Sequence, residues 1–108
     1  MKRGEVRWYT FKAPDVVCPV LILTRSSVIG YLNAVTVAPI TTTIRNINSE
    51  VLLNRDDGML TECVVNLDNI QTVPKVQVGD LITILSVTRM DEVNQAILFS
   101  IGIDEHLF

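Results

Sequence analysis

Apolar positions recur with two periods along the chain, and the change between them divides it. Glu5 to Phe11 alternates weakly and carries Val6, Trp8, Tyr9 and Phe11, which predicts a strand. Lys12 to Asp15 reads as a loop. Val16 to Thr24 is aliphatic and β-branched with Pro19 near its entrance, a buried strand led in by that loop. Arg25 to Gly30 is polar and suits a turn or short helical crossing. Tyr31 to Ile40 predicts a strand, Thr41 to Asn48 a loop and Ser49 to Leu53 a strand. Asn54-Arg55-Asp56-Asp57-Gly58 is the clearest turn in the chain. Thr61 to Leu67 is the next strand, Asp68-Asn69 a bend, Ile70 to Val73 a strand stopped by Pro74, and Leu81 to Leu85 one more short strand.

From Ser86 the period changes. Val87, Met90, Val93, Ala96, Ile97 and Ile101 step by three and four, as on one face of a helix. Ser86 or Thr88 can cap it, Asp91 and Glu92 are expected in its first turn, and Gly102 is its stop. Several short strands followed by one amphipathic helix give an α+β class. The expected form is a compact, strongly curved antiparallel sheet or small open barrel, with the C-terminal helix over one face. No repeat or linker interrupts residues 1–108, so one domain is expected.

The stretch Val35 to Ile44 draws the eye within this pattern. Pro39 cannot donate to a ladder, so the strand is expected to end there or to lie at an edge. Thr41, Thr42, Thr43 and Arg45 follow, placing three hydroxyls and a guanidinium at the rim of a rigid strand.

Composition narrows the class. Hydrophobic residues at 48% and charged ones at 19% allow a core without metal or disulfides. No apolar run approaches a membrane span, and no signal peptide is read at the N-terminus, so a cytoplasmic protein is expected. Cys18 and Cys63 fit no Cys-x-x-Cys motif and read as reduced thiols, Cys63 as a buried small hydrophobe. With His106 the sole histidine, neither a metal site nor a cofactor is expected. The net charge of −3 hides an asymmetry. Residues 1–55 hold seven cations against three acids, and residues 56–108 two against nine. A basic N-terminal half can attract a polyanion or an acidic protein segment.

Four segments together resemble the MazF/PemK toxins of type II toxin–antitoxin pairs. They are Arg3-Gly4-Glu5-Val6-x-Trp8, Pro19-Val20-Leu21-Ile22-Leu23, Val35-Thr36-Val37-Ala38-Pro39-Ile40-Thr41, and Val65 through Lys75. The resemblance covers nearly the whole chain. It implies an SH3-like barrel of the MazF/CcdB type and a homodimer. It also implies metal-independent cleavage of single-stranded RNA, and a cognate antitoxin whose acidic tail blocks the RNA groove. A homodimer also fits the first strand, which is unusually apolar and aromatic for an exposed edge. The acidic antitoxin segment is expected near loops 12–18 and 41–45.

Cleavage of RNA without a metal uses the 2′-OH as nucleophile. It needs a base near that hydroxyl, an acid near the leaving oxygen, and cations or N–H donors around the phosphate. The resemblance aligns Thr41 with the family's active-site threonine and Asp68 with an aspartate that one branch uses as base. Arg45 supplies charge from the loop after the threonines. Cys18, Pro19, Thr42, Thr43, Asn69 and Gln71 complete the expected RNA-binding set. Two positions depart from the family: its arginine before Pro-Val-Leu is Cys18 here, and Asn66 stands where one branch has arginine. A thiol has neither the permanent charge nor the bidentate fork of a guanidinium. Weakened activity is therefore expected, alongside two alternatives. One is a gyrase poison like the CcdB toxins, although the ending His106-Leu107-Phe108 lacks their Trp-Gly-Ile. The other is an inactive paralogue that only titrates an antitoxin.

Overall fold

The structure is a computed structural model that describes residues 1–12 and 16–105. Most of the expected loop Lys12–Asp15, and His106, lie outside the described residues. The strands are β1 (Glu5–Phe11), β2 (Val16–Ile22), β3 (Ala34–Thr41), β4 (Glu50–Leu53), β5 (Cys63–Asn66), β6 (Gln71–Pro74) and β7 (Val78–Ile84). A single helical turn, α1 (Ser26–Ile29), links β2 to β3, and α2 (Val87–Ser100) follows β7. The pairings are all antiparallel, in the order β4-β5-β3-β2-β1-β7, with β6 added beside β3. The sheet curves but stays open, since β4 and β7 end it without pairing. No helix among the described residues is long and apolar enough to cross a membrane.

Strand alternation sends side chains to two cores. On one face Val6, Leu21, Ala38, Ile40, Val51, Leu53 and Val65 pack with Val93 and Ala96 of α2. On the other Tyr9, Val20, Ile22, Val35, Val37 and Val73 pack with Ile29 of α1. Successive residues Val20, Leu21 and Ile22 thus serve opposite cores, as a period of two requires. Leu21 is fully buried, so truncation to alanine costs about 2–5 kcal/mol.

Several expectations are corrected. Pro39 neither ends β3 nor lies at an edge: it pairs with Val20 of β2 in an interior strand. On its other side β3 pairs with β6 over Ala34–Val37 and with β5 at Ile40–Thr41. Pro39 falls in the gap between those partners, where an absent donor disturbs no ladder. β1 is no edge either, being flanked by β2 and β7. Nor is β2 buried from its start. Val16 and Val17 are exposed because β2 reaches β3 only at Val20–Ile22. β7 begins at Val78, three residues before the expected Leu81. In α2 the cap is Ser86, whose Oγ accepts from Arg89 N at 3.2 Å. Asp91 and Glu92 therefore fall beyond the first turn. Arg89 occupies that turn, against the dipole. It is offset by ion pairs of 2.9 Å to both Asp57 and Glu92.

Candidate functional site

The turn after β5 is built from the inside outward. Leu67 is buried in the α2-side core, and its N–H donates to Ser49 O at 2.9 Å. Leu67–Asn69 then closes one turn of 3-10 helix. The Asn66 side chain caps it, accepting from Asp68 N at 3.0 Å. An asparagine does here what arginine could not, because a guanidinium has no acceptor. Asp68 is carried to the rim with its side chain 40% exposed. Ser49 Oγ, itself buried, donates to Asp68 Oδ2 at 2.6 Å.

The loop between β3 and β4 is organised by one carboxylate. Glu50 Oε1 accepts from the backbone N–H groups of Arg45 at 2.9 Å and Asn46 at 3.1 Å. Glu50 Oε2 accepts from Arg45 Nε at 2.8 Å. Burial alone would raise the Glu50 pKa. The hydrogen bonds from Arg45 and Asn46, with the Arg45 charge, outweigh burial and hold the carboxyl below its ordinary value. Arg45 is pushed further up, first by its hydrogen bond to Glu50 and also by Asp68. Its remaining edge faces the turn after β5, with Nη2 3.5 Å from Asp68 Oδ2.

Beside this pair lies an open surface hollow of about 500 Å³ lined by Phe11, Cys18, Pro39, Asp68, Asn69, Ile70 and Gln71. Four of the sequence-predicted residues (Asp68, Cys18, Asn69 and Gln71) therefore share one hollow, with Arg45 at its side. Burial pushes the Cys18 thiol up, so it stays neutral and adds no charge there. Pro19, Thr41 and Thr42 go elsewhere. They line a smaller, apolar cavity of about 230 Å³ with Trp8, Ile40, Met59 and Cys63. Thr41 Oγ1 accepts from Thr43 N at 3.2 Å, which leaves its proton free to donate. No hydrogen bond or ion pair joins Thr41 to Arg45 or Asp68 among the described residues. Nor do three His, Cys, Asp or Glu side chains among them converge as a metal site.

Sequence reading passed over Ser49 and Glu50, which fix the geometry of Asp68 and Arg45. The available signal was a serine and a carboxylate opening an otherwise apolar strand, Val51-Leu52-Leu53, where a charge needs a partner.

Comparison with known proteins places this arrangement. "Probable endoribonuclease MazF2" of Mycobacterium tuberculosis is 39% identical over 103 residues, spanning 94% of this chain and 99% of that protein. "Endoribonuclease MazF3" of the same organism is 42% identical over 83 residues, 77% of this chain and 81% of that one. The solved structure of "Mycobacterium tuberculosis toxin MazF-mt6" superposes with a TM-score of 0.84 at 36% identity, covering 91% of this chain and 96% of that one. A mycobacterial "Endoribonuclease in complex with its cognate antitoxin" also superposes at 0.84, with 26% identity and coverage of 95% and 96%. The profile described as "PemK-like, MazF-like toxin of type II toxin-antitoxin system" matches residues 2–101. With that match over nearly all of a chain whose strands, C-terminal helix and turn after β5 have just been described, the protein belongs to the PemK-like, MazF-like toxin family.

Proposed function

We propose that this toxin is an endoribonuclease that cleaves single-stranded RNA, with Asp68 taking the proton of the 2′-OH and Arg45 neutralising the phosphate. The observation that carries the reading is the Arg45–Asp68 pair, 3.5 Å apart beside an open surface hollow that Asp68 lines. A carboxylate takes the 2′-OH proton and a guanidinium neutralises the phosphate while the 2′-oxygen attacks in line; the P–O5′ bond breaks, a 2′,3′-cyclic phosphate forms, and the leaving 5′-oxygen takes its proton from solvent water. The chemistry needs no metal. Asn69 and Gln71 offer amide donors and acceptors to the bases, and Cys18 and Pro19 line the path of the strand. Thr42 and Thr43 extend that path from the β3 end. Thr41, which lines the neighbouring cavity with Pro19 and Thr42, donates its hydroxyl proton to the phosphate of an adjoining nucleotide rather than to the one held by Arg45.

The relatives named above carry the name endoribonuclease, which favours cleavage over a gyrase poison or an inactive titrator. The neighbour solved with its cognate antitoxin supports an antitoxin partner for this chain. We assign that partner an acidic segment, which the basic N-terminal half and Arg45 attract. The working unit is a homodimer. With β1 interior, the exposed Leu81 and Ile84 of edge strand β7 are the better surface for it.

The test is incubation of the purified protein with long single-stranded RNA in EDTA, with mapping of the new ends. Cleavage at a recurring short motif, lost in Asp68→Asn, is the expected result. Intact RNA, or cleavage only when a divalent metal is added, overturns the reading.

A further inference from the structure

We propose that Glu50 and Ser49 are positioning residues that set the Arg45–Asp68 pair for cleavage, acting through those two side chains without touching RNA. The proposal rests on the reading of Arg45 and Asp68 given above. Adjacent residues at the start of β4 hold one charge each. Glu50, its side chain only 2% exposed, binds Arg45 through Nε. A guanidinium held by Nε turns its far edge in a fixed direction, and here that edge faces Asp68. Ser49 donates to the same Asp68 oxygen that Arg45 faces. Oδ2 is thereby occupied, and Oδ1, with no hydrogen bond among the described residues, is left to receive a proton.

The loop geometry supports the assignment. Asn46 has φ of +57°, a left-handed conformation that few non-glycine residues adopt. Its N–H is tied to Glu50, as is the N–H of Arg45. A buried carboxylate is costly unless donors meet it. All three donors here come from two consecutive residues of one loop, and one of those two carries the phosphate-binding charge. A carboxylate serving stability alone would need no such focus on Arg45.

The experiment is steady-state cleavage of a single-stranded RNA oligonucleotide in EDTA by wild type, Glu50→Gln, Ser49→Ala, Arg45→Ala and Arg45→Ala/Glu50→Gln. Glu50→Gln is expected to lower kcat by about tenfold to a hundredfold, the usual cost of misplacing a catalytic group by about 1 Å. KM is expected to stay within about threefold, since no direct RNA contact is lost. Ser49→Ala is expected to lower kcat in the same way. In the Arg45→Ala background Glu50→Gln is expected to add nothing. Full additivity in the double variant, or an effect confined to KM, overturns the proposal. If Arg45→Ala and Asp68→Asn leave cleavage intact, the cleavage reading itself falls, a different result. A second measurement needs no activity and covers a variant that folds poorly. The Arg45 Nε–H resonance of 15N-labelled protein is expected to be resolved and slowly exchanging in wild type and Ser49→Ala, and to collapse in Glu50→Gln. A resonance exchanging freely in wild type, or unchanged in Glu50→Gln, overturns the positioning role.

Discussion

The chain makes the same local structure twice and uses it differently. Arg55–Asp57 and Leu67–Asn69 are both single turns of 3-10 helix. Each is capped by an asparagine side chain, Asn54 accepting from Asp56 N and Asn66 from Asp68 N. Each presents an aspartate to an arginine distant in sequence. In the first turn Asp57 closes a capping box on Asn54 N at 2.9 Å and meets Arg89 Nε at 2.9 Å, with its side chain 9% exposed. Both of its oxygens are engaged, in a role confined to the fold. In the second turn Asp68 is 40% exposed, meets its arginine at 3.5 Å and, among the described residues, engages one oxygen only. Burial and the count of unfilled acceptor sites separate a structural aspartate from one open to a substrate. Turn type and partner identity do not.

Mutation should break this symmetry cleanly. Asp68→Asn is expected to reduce RNA cleavage by about a hundredfold or more, the typical share of a general base, with the thermal midpoint little changed. Asp57→Asn is expected to do the reverse. It weakens a half-buried charge-assisted pair and a cap, costing about 2 kcal/mol and lowering Tm by roughly 10 °C in a domain of this size, with cleavage by the folded protein retained. Calorimetry and cleavage rates on the two variants together decide it, and loss of both properties in both variants would erase the distinction. Next in size is a gain. Cys18→Arg restores the family's cation to the cavity beside Asp68 and is expected to raise the rate about tenfold, since one donor at a transition state is commonly worth more than that. No change in an active enzyme would place the phosphate elsewhere.

The smallest effect is on acid stability. Burial raises the Asp57 pKa, but the Arg89 hydrogen bond, the Asn54 N–H and the Arg89 charge outweigh it and leave the carboxyl below its ordinary 3.8. Glu50 likewise lies below 4.5. Groups depressed in the folded state contribute stability above their unfolded values and lose it as pH falls through the folded ones. Unfolding is therefore expected to ease below about pH 4.5. Asp57→Asn should flatten that slope. Urea midpoints from pH 3 to 7 would measure the difference.

Much of this was legible in the sequence because it is local. The alternation of β1, the stepping of α2, the Asn54–Gly58 turn and the Asp68-Asn69 bend each follow from a few neighbouring residues. Gly58, at φ of +91°, sits where only glycine is comfortable, as a turn ending in Asp-Gly predicts. What escaped is non-local. Pro39 looks like a stop until β5 and β6 are known to share one flank of β3 and leave a gap. Asp91 and Glu92 look like first-turn acids until Ser86 is seen to be the cap. For the site, motif order pointed to Asp68 as a candidate, but the hold on Arg45 depends on a buried carboxylate five residues away. Thr41 follows Pro39 closely in sequence yet lines a different cavity, a separation that only the three-dimensional fold shows.

The interior place of β1 bears on how the molecule is made. Its two neighbours lie at very different distances along the chain: β2 is translated at once, whereas β7 follows more than sixty residues later, at Val78–Ile84. Closing so long a loop has to precede the reward of the β1–β7 ladder, which slows folding into the millisecond-to-second range typical of such topologies. A nascent chain whose β7 is still inside the ribosome carries β1 with one flank unsatisfied and α2 unformed. The toxin is thereby kept unassembled until β7 and α2 have emerged, and ribosome-stalled chains ending before Val78 should accordingly be open to protease where the released protein resists it.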